Sequence, residues 1–266
     1  MAAWHKTSVR YQMDVPINEL LAAMKSGKTQ FGVWLNTGSH IVAELAGHSG
    51  FDWCLVDGEH GPQTLSEMVP QLQALASTPT HAVVRVPDAQ AWMIKQVLDI
   101  GAQTVLVPMV DTGEQAAEMG RAMRYPPLGN RGMGAAIARA SSFGAMADYV
   151  RDAGDQTCLL VQAESAAALE NIDEIANAQG VDGVFIGPAD LSADMGYPGN
   201  ADHPDVLAAI DHMIDRIHAA GKISGILTFA PDRSRYYADR GVGFVGIGAD
   251  VAIFGRALKA TLDAVR

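Results

Sequence analysis

The chain has 266 residues, of which 48% are hydrophobic, and its formal net charge is −11. This length suits one α/β barrel as well as two smaller domains, and the apolar fraction is enough for a large core. The acidic balance argues against nucleic acid and anionic membranes as partners, and no segment approaches the ~18 consecutive apolar residues of a membrane span.

Short apolar runs alternate with stretches of helical periodicity, at a spacing of roughly 25 to 30 residues that is typical of a βα unit. Strands are predicted at 31–35, 53–57, 82–86, 104–108, 158–164, 183–186, 223–227 and 244–247. Helices are predicted at about 17–26, 39–49, 64–77, 90–100, 112–123, 165–178, 204–220, 231–240 and 250–265. Eight strands, each followed by a helix, predict an α/β fold of the (β/α)8 TIM-barrel type with an extra helix before the first strand.

No linker or shift in composition divides the chain, so residues 1–266 are predicted to form one domain, with about 1–28 as an N-terminal extension and helix. The alternative fold is an open doubly wound sheet. Its Gly-rich phosphate turn, followed by an acid about 20 residues later, is not found here.

The two cysteines, Cys54 and Cys158, both fall in strand-like apolar runs. This placement predicts buried, reduced thiols and a cytoplasmic protein. Lys6 and Arg10 are not followed by an apolar run, so no secretory signal is expected.

One connection is too long for a plain βα unit. It contains Tyr125-Pro126-Pro127 and then three glycines within 129–134, and it leads to a Ser-Ser-Phe-Gly segment at 141–144. The glycines leave the backbone free to approach a ligand or a neighbouring subunit. A surface excursion with proline-fixed turns explains the segment equally well.

Two carboxylates are expected at the carboxyl-terminal ends of neighbouring strands, where barrels hold their active sites. Glu164 ends the fifth strand, and Asp190 follows the sixth. Each could serve simply as the N-cap of the next helix. Together they suit a hard cation such as Mg²⁺ or Mn²⁺, which takes one or two carboxylates and completes its shell with water and substrate.

A histidine and an arginine occupy two further strand ends. His60 follows Asp57 and Glu59 directly, which favours a general base over a structural histidine. Arg85 lies on the third strand and must either pair internally or bind an anion. The planar guanidinium suits a carboxylate, and the second interpretation is favoured.

Several segments in combination resemble the HpcH/HpaI aldolase family, of the 4-hydroxy-2-oxoheptanedioate and 2-keto-3-deoxy-sugar-acid aldolase type. They are Phe-Asp-Trp at 51–53, Asp-Gly-Glu-His-Gly-Pro at 57–62, Asp-Ile-Gly-Ala-Gln at 99–103, Tyr-Pro-Pro at 125–127 with Arg-Gly at 131–132, and Gly-Val-Phe-Ile-Gly-Pro-Ala-Asp-Leu-Ser at 183–192. The match runs from about Phe31 to the C-terminus. It implies a barrel of the phosphoenolpyruvate/pyruvate-domain type.

The activity implied by the resemblance is that of a class II pyruvate aldolase, a carbon–carbon lyase of the aldehyde-lyase group. Such an enzyme reversibly cleaves 4-hydroxy-2-keto acids to pyruvate and an aldehyde, such as succinic semialdehyde or lactaldehyde, through a pyruvate enolate. The resemblance also implies a homohexamer, a trimer of dimers, in which the C-terminal helix is exchanged between subunits.

The resemblance assigns the binding of the metal and the keto acid to particular residues. Glu164 and Asp190 would bind a divalent cation (Mg²⁺, Mn²⁺ or Co²⁺), with Gln162 nearby and no organic cofactor. Arg85 would hold the carboxylate or keto oxygen of pyruvate. The backbone amides of Ala189 and Asp190 would help to bind the carboxylate.

The remaining implied roles concern proton transfer and the aldehyde. His60 would act as the base, with Asp99 as its partner, and Trp34 and Leu227 would line the aldehyde side of the pocket.

A different mechanism and two rival functions can be weighed from the sequence. A Schiff-base mechanism needs a lysine at the active rim, but only Lys222 adjoins a strand, and it lies at the strand's beginning. A lyase for CoA thioesters of the citramalyl or malyl type would need a basic patch for the CoA phosphates, and none is visible. A non-catalytic keto-acid-binding barrel would not need the metal ligands, the arginine and the histidine together.

Overall fold

The computed structural model describes residues 13–266, so the predicted N-terminal extension is covered only from residue 13, and Lys6 and Arg10 lie outside the described residues. Eight parallel strands form a closed barrel in chain order, which confirms the predicted fold class. The strands are β1 (Gln30–Leu35), β2 (Trp53–Asp57), β3 (His81–Arg85), β4 (Thr104–Val107), β5 (Cys158–Ala163), β6 (Gly183–Ile186), β7 (Ile223–Leu227) and β8 (Phe244–Ala249).

Helices surround the barrel and connect the strands. They are α1 (Glu19–Lys25), α2 (His40–Gly47), α3 (Leu65–Leu75), α4 (Ala91–Asp99), α5 (Gly113–Ala122), α6 (Tyr149–Asp152), α7 (Ala166–Glu170), α8 (Ile172–Asn177), α9 (Pro188–Asp194), α10 (Pro204–Ala219), α11 (Pro231–Asp239) and α12 (Asp250–Asp263). Short 3₁₀ helices cover Arg139–Ser141 and Ala153–Gln156. Within residues 13–266, no helix is both long and apolar enough to cross a membrane.

Three helical segments differ from the prediction. Helix α6 lies in the long connection after α5, where no helix was predicted. The single helix predicted at 165–178 is divided into α7 and α8 at Asn171, whose side-chain amide donates to the carbonyl of Asp111 at 2.9 Å. Helix α9 was not predicted, because the segment after β6 was interpreted as the strand running out. Pro188 at its first position fits a helix start, where the missing N–H costs no hydrogen bond.

Side chains of the strands alternate between the barrel interior and the surrounding helices. On β2, Trp53 and Leu55 belong to the inner cluster, whereas Cys54 and Val56 pack outward. The Trp53 ring stacks on Phe244 at a centroid distance of 3.8 Å, which fills the barrel centre. The interior of the barrel is therefore filled with side chains. The two cysteines are buried free thiols, as predicted.

The same alternation places the polar residues of the rim. Asp57 continues the inward series of β2, Arg85 follows the inward-facing Val83, and Gln162 follows the inward-facing Leu160. The closed barrel therefore brings these three side chains to its carboxyl-terminal mouth.

The long connection after α5 has a small core of its own, formed by Tyr125, Ala135, Met146, Tyr149 and Ala153. The guanidinium of Arg131 lies 4.4 Å from the centre of the Tyr125 ring. The segment is therefore a packed subdomain of the surface.

Candidate active site

The two predicted metal-binding carboxylates both lie at the mouth of the barrel, where the charge of Asp190 acts on Glu164. Glu164 follows β5 directly and is 2% exposed, whereas Asp190 is the third residue of α9 and is exposed. Burial raises the pKa of Glu164 to about 7, and the nearby charges of Asp190 and Glu59 act in the same direction. The mouth is therefore a site where negative charge is crowded.

The carboxylate of Glu164 is held by two hydrogen bonds and lies close to the backbone of a glycine. The backbone N–H of Met109 donates to Oε1 at 3.0 Å, and the side-chain amide of Gln162 donates to Oε2. A Cβ at Gly187 would lie only 2.2 Å from Oε2, so glycine is needed for this close approach. The orientation of the carboxylate is thus set by the protein.

Arg85 is paired internally, and the anion binding favoured from the sequence stays a prediction. Its Nε and Nη2 donate to the two oxygens of Asp57 at 2.8 and 2.7 Å, and its Nη1 lies 2.7 Å from Oε2 of Glu59. Burial opposes the charged form of Arg85, but these contacts outweigh it and raise the pKa of the guanidinium. A guanidinium has five N–H groups, so donors remain for a further anion.

The pairing with Arg85 also affects the pKa values of Asp57 and Glu59. Burial would raise the pKa of Asp57, but the hydrogen bonds and charge of Arg85 outweigh burial and lower it. Burial raises the pKa of Glu59, and the charges of Asp57 and Asp190 add to this in spite of Arg85. Glu59 had no role in the sequence-based assignment, although it contacts Arg85 and its charge acts on Glu164.

His60 lies in the loop after β2, and its side chain is 66% exposed. Its Nε2 is 3.9 Å from Oε2 of Glu59. The loop is fixed because Oδ1 of Asp57 accepts the backbone N–H of Glu59 at 3.1 Å and the side chain of Gln63 donates to the carbonyl of Asp57 at 2.7 Å. The structure therefore brings His60 to the mouth of the barrel, with the imidazole open to solvent.

Asp99 lies far from His60 within one chain. It is the last residue of α4, which leads into β4 at the amino-terminal end of the barrel. Its Oδ1 accepts a hydrogen bond from Nη2 of Arg131 at 2.7 Å. The predicted pairing of Asp99 with His60 is therefore not formed inside a single subunit.

Trp34 and Leu227 lie beside Gly246 inside the barrel, toward its carboxyl-terminal mouth. A Cβ at Gly246 would lie 2.4 Å from the ring of Trp34 and 2.9 Å from Leu227, which shows that both flank this glycine. Trp34 is only 3% exposed and contacts Phe185 with a centroid distance of 5.5 Å. Most of its surface is therefore already used by the core.

The donor set at the mouth fits a divalent cation that keeps several water ligands. No group of three or more His, Cys, Asp and Glu side chains suited to a metal exists among residues 13–266. One or two carboxylates are enough for a cation such as Mg²⁺, which fills its other positions with water and substrate. The raised pKa of Glu164 reflects a charge that a cation would stabilise. Next to it, Oε1 of Gln162 is buried without a hydrogen-bond partner.

Lys222 lies at the other end of the barrel. Its Nζ donates to the carbonyl of Val181 at 2.7 Å, next to the beginnings of β6 and β7. It cannot form a Schiff base with a substrate at the mouth.

Comparison with known proteins identifies the family of this chain. A family model described as HpcH/HpaI aldolase/citrate lyase matches residues 30–257. A hydroxypyruvate/pyruvate aldolase from Agrobacterium fabrum is 55% identical over 93% of this chain and 93% of its own length. A 2-keto-3-deoxy-L-rhamnonate aldolase from Escherichia coli is 48% identical over 92% of both chains.

Among solved structures, an HpcH/HpaI aldolase/citrate lyase family protein from Burkholderia cenocepacia has a TM-score of 0.90 and 36% identity, covering 94% of this chain and 99% of its own. The expected carbon–carbon lyase of the pyruvate-aldolase type, acting on small molecules, is confirmed by these relatives, and neither the CoA-thioester lyase nor the non-catalytic barrel is favoured by them. The chain therefore belongs to the HpcH/HpaI aldolase/citrate lyase family.

Proposed function

We propose that this enzyme is a divalent-cation-dependent aldolase that cleaves 4-hydroxy-2-keto acids into a pyruvate-type keto acid and an aldehyde, and catalyses the reverse addition. The proposal rests mainly on the fixed, buried carboxylate of Glu164 beside Asp190 at the barrel mouth. The names of the relatives from A. fabrum and E. coli support both pyruvate and hydroxypyruvate as the keto acid and a sugar-acid-derived aldehyde as its partner.

Glu164 and Asp190 would hold Mg²⁺, Mn²⁺ or Co²⁺, and no organic cofactor is proposed. The cation would supply positive charge to the keto and carboxylate oxygens of the substrate, where negative charge develops during enolate formation. Gln162 keeps Glu164 oriented through its hydrogen bond to Oε2. The cation would also stabilise the charged forms of Glu164 and Asp190, which lie in a region of crowded negative charge.

The carboxylate of the keto acid has two further sources of donors. Arg85 offers the N–H groups that Asp57 and Glu59 do not use, and the first-turn amides of Ala189 and Asp190 are not needed by the hydrogen-bond ladder of α9. Trp34 and Leu227, which meet near the mouth, would limit the aldehyde side.

His60 would move the proton as general base, because its exposed imidazole lies beside Glu59 at the mouth. Asp99 lies at the opposite end of its own barrel, so it can assist only the His60 of a neighbouring subunit. We therefore propose that the active site is completed between subunits of the homohexamer.

The C-terminal helix supports an assembly with exchanged helices. In α12 only Asp250 is buried, whereas Phe254 is 64% and Leu258 is 56% exposed. Helix α2 likewise exposes Ile41 and Leu45, at 66% and 69%. Apolar surfaces of this kind mark contacts between proteins, and the exchange of α12 between subunits would cover them. A cytoplasmic location remains a prediction from the two reduced thiols.

The experiment measures pyruvate release from a panel of 4-hydroxy-2-keto acids by protein stripped with EDTA and then supplied with Mg²⁺, Mn²⁺ or Co²⁺. We expect no cleavage by the stripped protein, recovery with metal, and loss of activity in Glu164→Gln. Lys222→Ala serves as the control and should retain activity. Metal-independent cleavage that borohydride traps on a lysine would refute the proposal.

A further inference from the structure

The backbone of Met109 has a conformation that methionine rarely adopts. Met109 follows β4, and its φ is +54°, in the left-handed region. Non-glycine residues avoid this region because Cβ comes too close to the following carbonyl oxygen. Among residues 13–266, the other non-glycine residues with positive φ are Ser142 and Phe143, in the long connection after α5.

This conformation directs two successive N–H groups toward β5. The N–H of Met109 donates to Oε1 of Glu164 at 3.0 Å, and the N–H of Val110 donates to the carbonyl of Gln162 at 3.0 Å. The dihedral angles of Met109 lie between these two N–H groups, so a change to an extended or right-handed backbone would break one of the two bonds. The left-handed backbone of Met109 is therefore needed for both hydrogen bonds, including the one to the carboxylate of Glu164.

The side chain of Met109 does not explain the strain. It is 48% exposed, so burial of the methionine contributes little to holding the residue in place. Strained backbone that the surrounding structure maintains is found most often at functional sites. Here the maintained feature is the bond to Glu164.

We propose that Met109 is a positioning residue for Glu164: its left-handed backbone holds the amide on Oε1, while Gln162 holds Oε2. The carboxylate is then already oriented when a divalent cation binds. This inference rests on the proposed function, in which Glu164 is a metal ligand.

The test compares substitutions that accept or resist a left-handed backbone. Met109→Gly keeps the amide and removes the strain, whereas Met109→Val keeps the amide but disfavours positive φ. Phe143→Val is the matched control, since Phe143 is also left-handed, with φ +57°, and is 72% exposed in the connection after α5. The measurement is the affinity of EDTA-stripped full-length protein for Mn²⁺ by calorimetry, together with Tm.

We expect Met109→Gly to bind Mn²⁺ as tightly as the wild type. Met109→Val should bind it at least ~10-fold more weakly, the usual effect of disturbing a group that orients a metal ligand. Phe143→Val should lower Tm without changing the affinity for Mn²⁺, which separates a local effect on Glu164 from general strain. If Met109→Val does not fold, Met109→Ala should show a smaller loss in the same direction.

The outcomes separate this inference from the proposed function. A wild type that does not bind Mn²⁺ refutes the proposed metal site, and the role of Met109 with it. A wild type that binds Mn²⁺, with a folded Met109→Val or Met109→Ala variant that binds it equally well, refutes only the role of Met109.

Discussion

Replacing Asp57 by asparagine tests whether the buried ion pair with Arg85 supports the barrel mouth. Asp57 is fully buried and binds Nε and Nη2 of Arg85 with both oxygens. Asparagine keeps one acceptor but removes the charge, so the guanidinium keeps Glu59 as its ion-pair partner and the more distant charge of Glu164.

Removing one partner of a buried ion pair costs about 3–5 kcal/mol. Because Glu59 remains 2.7 Å from Nη1, we expect the lower part of this range, so the free energy of unfolding should fall by about 3 kcal/mol. For a domain of this size, that corresponds to a Tm lower by roughly 6–12 °C.

The assay is urea unfolding followed by tryptophan fluorescence, with Asp152→Asn as the matched control. Asp152 makes the same two-pronged contact with Arg151, at 2.6 and 2.7 Å, but on the surface, where little or no change is expected. Since the pKa of Asp57 is lowered in the folded state, its charge stabilises the fold above the unfolded value of about 4, and this contribution is lost as the pH falls through the folded value. Equal effects of the two substitutions, or a difference between wild type and Asp57→Asn that stays constant from neutral to strongly acidic pH, would refute this reasoning.

Three further predictions concern the mouth of the barrel. Arg85→Ala should weaken pyruvate binding severely, measured by calorimetry in the presence of Mn²⁺, and near-normal affinity would remove Arg85 from the site. Because the pKa of Glu164 is raised to about 7, the free energy of unfolding of metal-stripped protein should fall by up to about 3 kcal/mol as the pH rises from the unfolded pKa to neutral. Glu164→Gln should abolish this loss, and a stability that does not depend on Glu164 over this range would contradict the prediction. Gly187→Ala places a Cβ 2.2 Å from Oε2 of Glu164, so it should reduce Mn²⁺ affinity more than ~10-fold in a protein with a native circular dichroism spectrum, and unchanged affinity would show that the carboxylate tolerates displacement.

The strands could be predicted because each is a short apolar run, and β2, β6 and β7 have the predicted bounds. The apolar pattern of each strand is contained in its own local sequence, so this pattern alone was enough to locate the strands. Helix α9 was missed because seven residues are too few to show a periodic apolar face, although Pro188 was a usable signal. The division at Asn171 depends on a bond to Asp111, 60 residues away, and no local pattern reveals it.

At the site, resemblance and strand ends together pointed to Glu164, Asp190, Arg85 and His60, and the structure places all four around the barrel mouth. Asp57 could have been recognised as inward-facing from its alternation with Trp53 and Leu55.

Met109 had no signal in the sequence, because its contribution is a backbone amide.

By itself the sequence determined the barrel, its order of strands and the residues at the strand ends, because these follow from apolar periodicity and the alternation of side chains. Only the tertiary structure decided that Arg85 is paired with Asp57 and Glu59 and that the backbone amide of Met109 donates to Glu164. Each of these depends on distances between atoms of different strands or helices. Such distances arise when the barrel closes, and no stretch of sequence contains them.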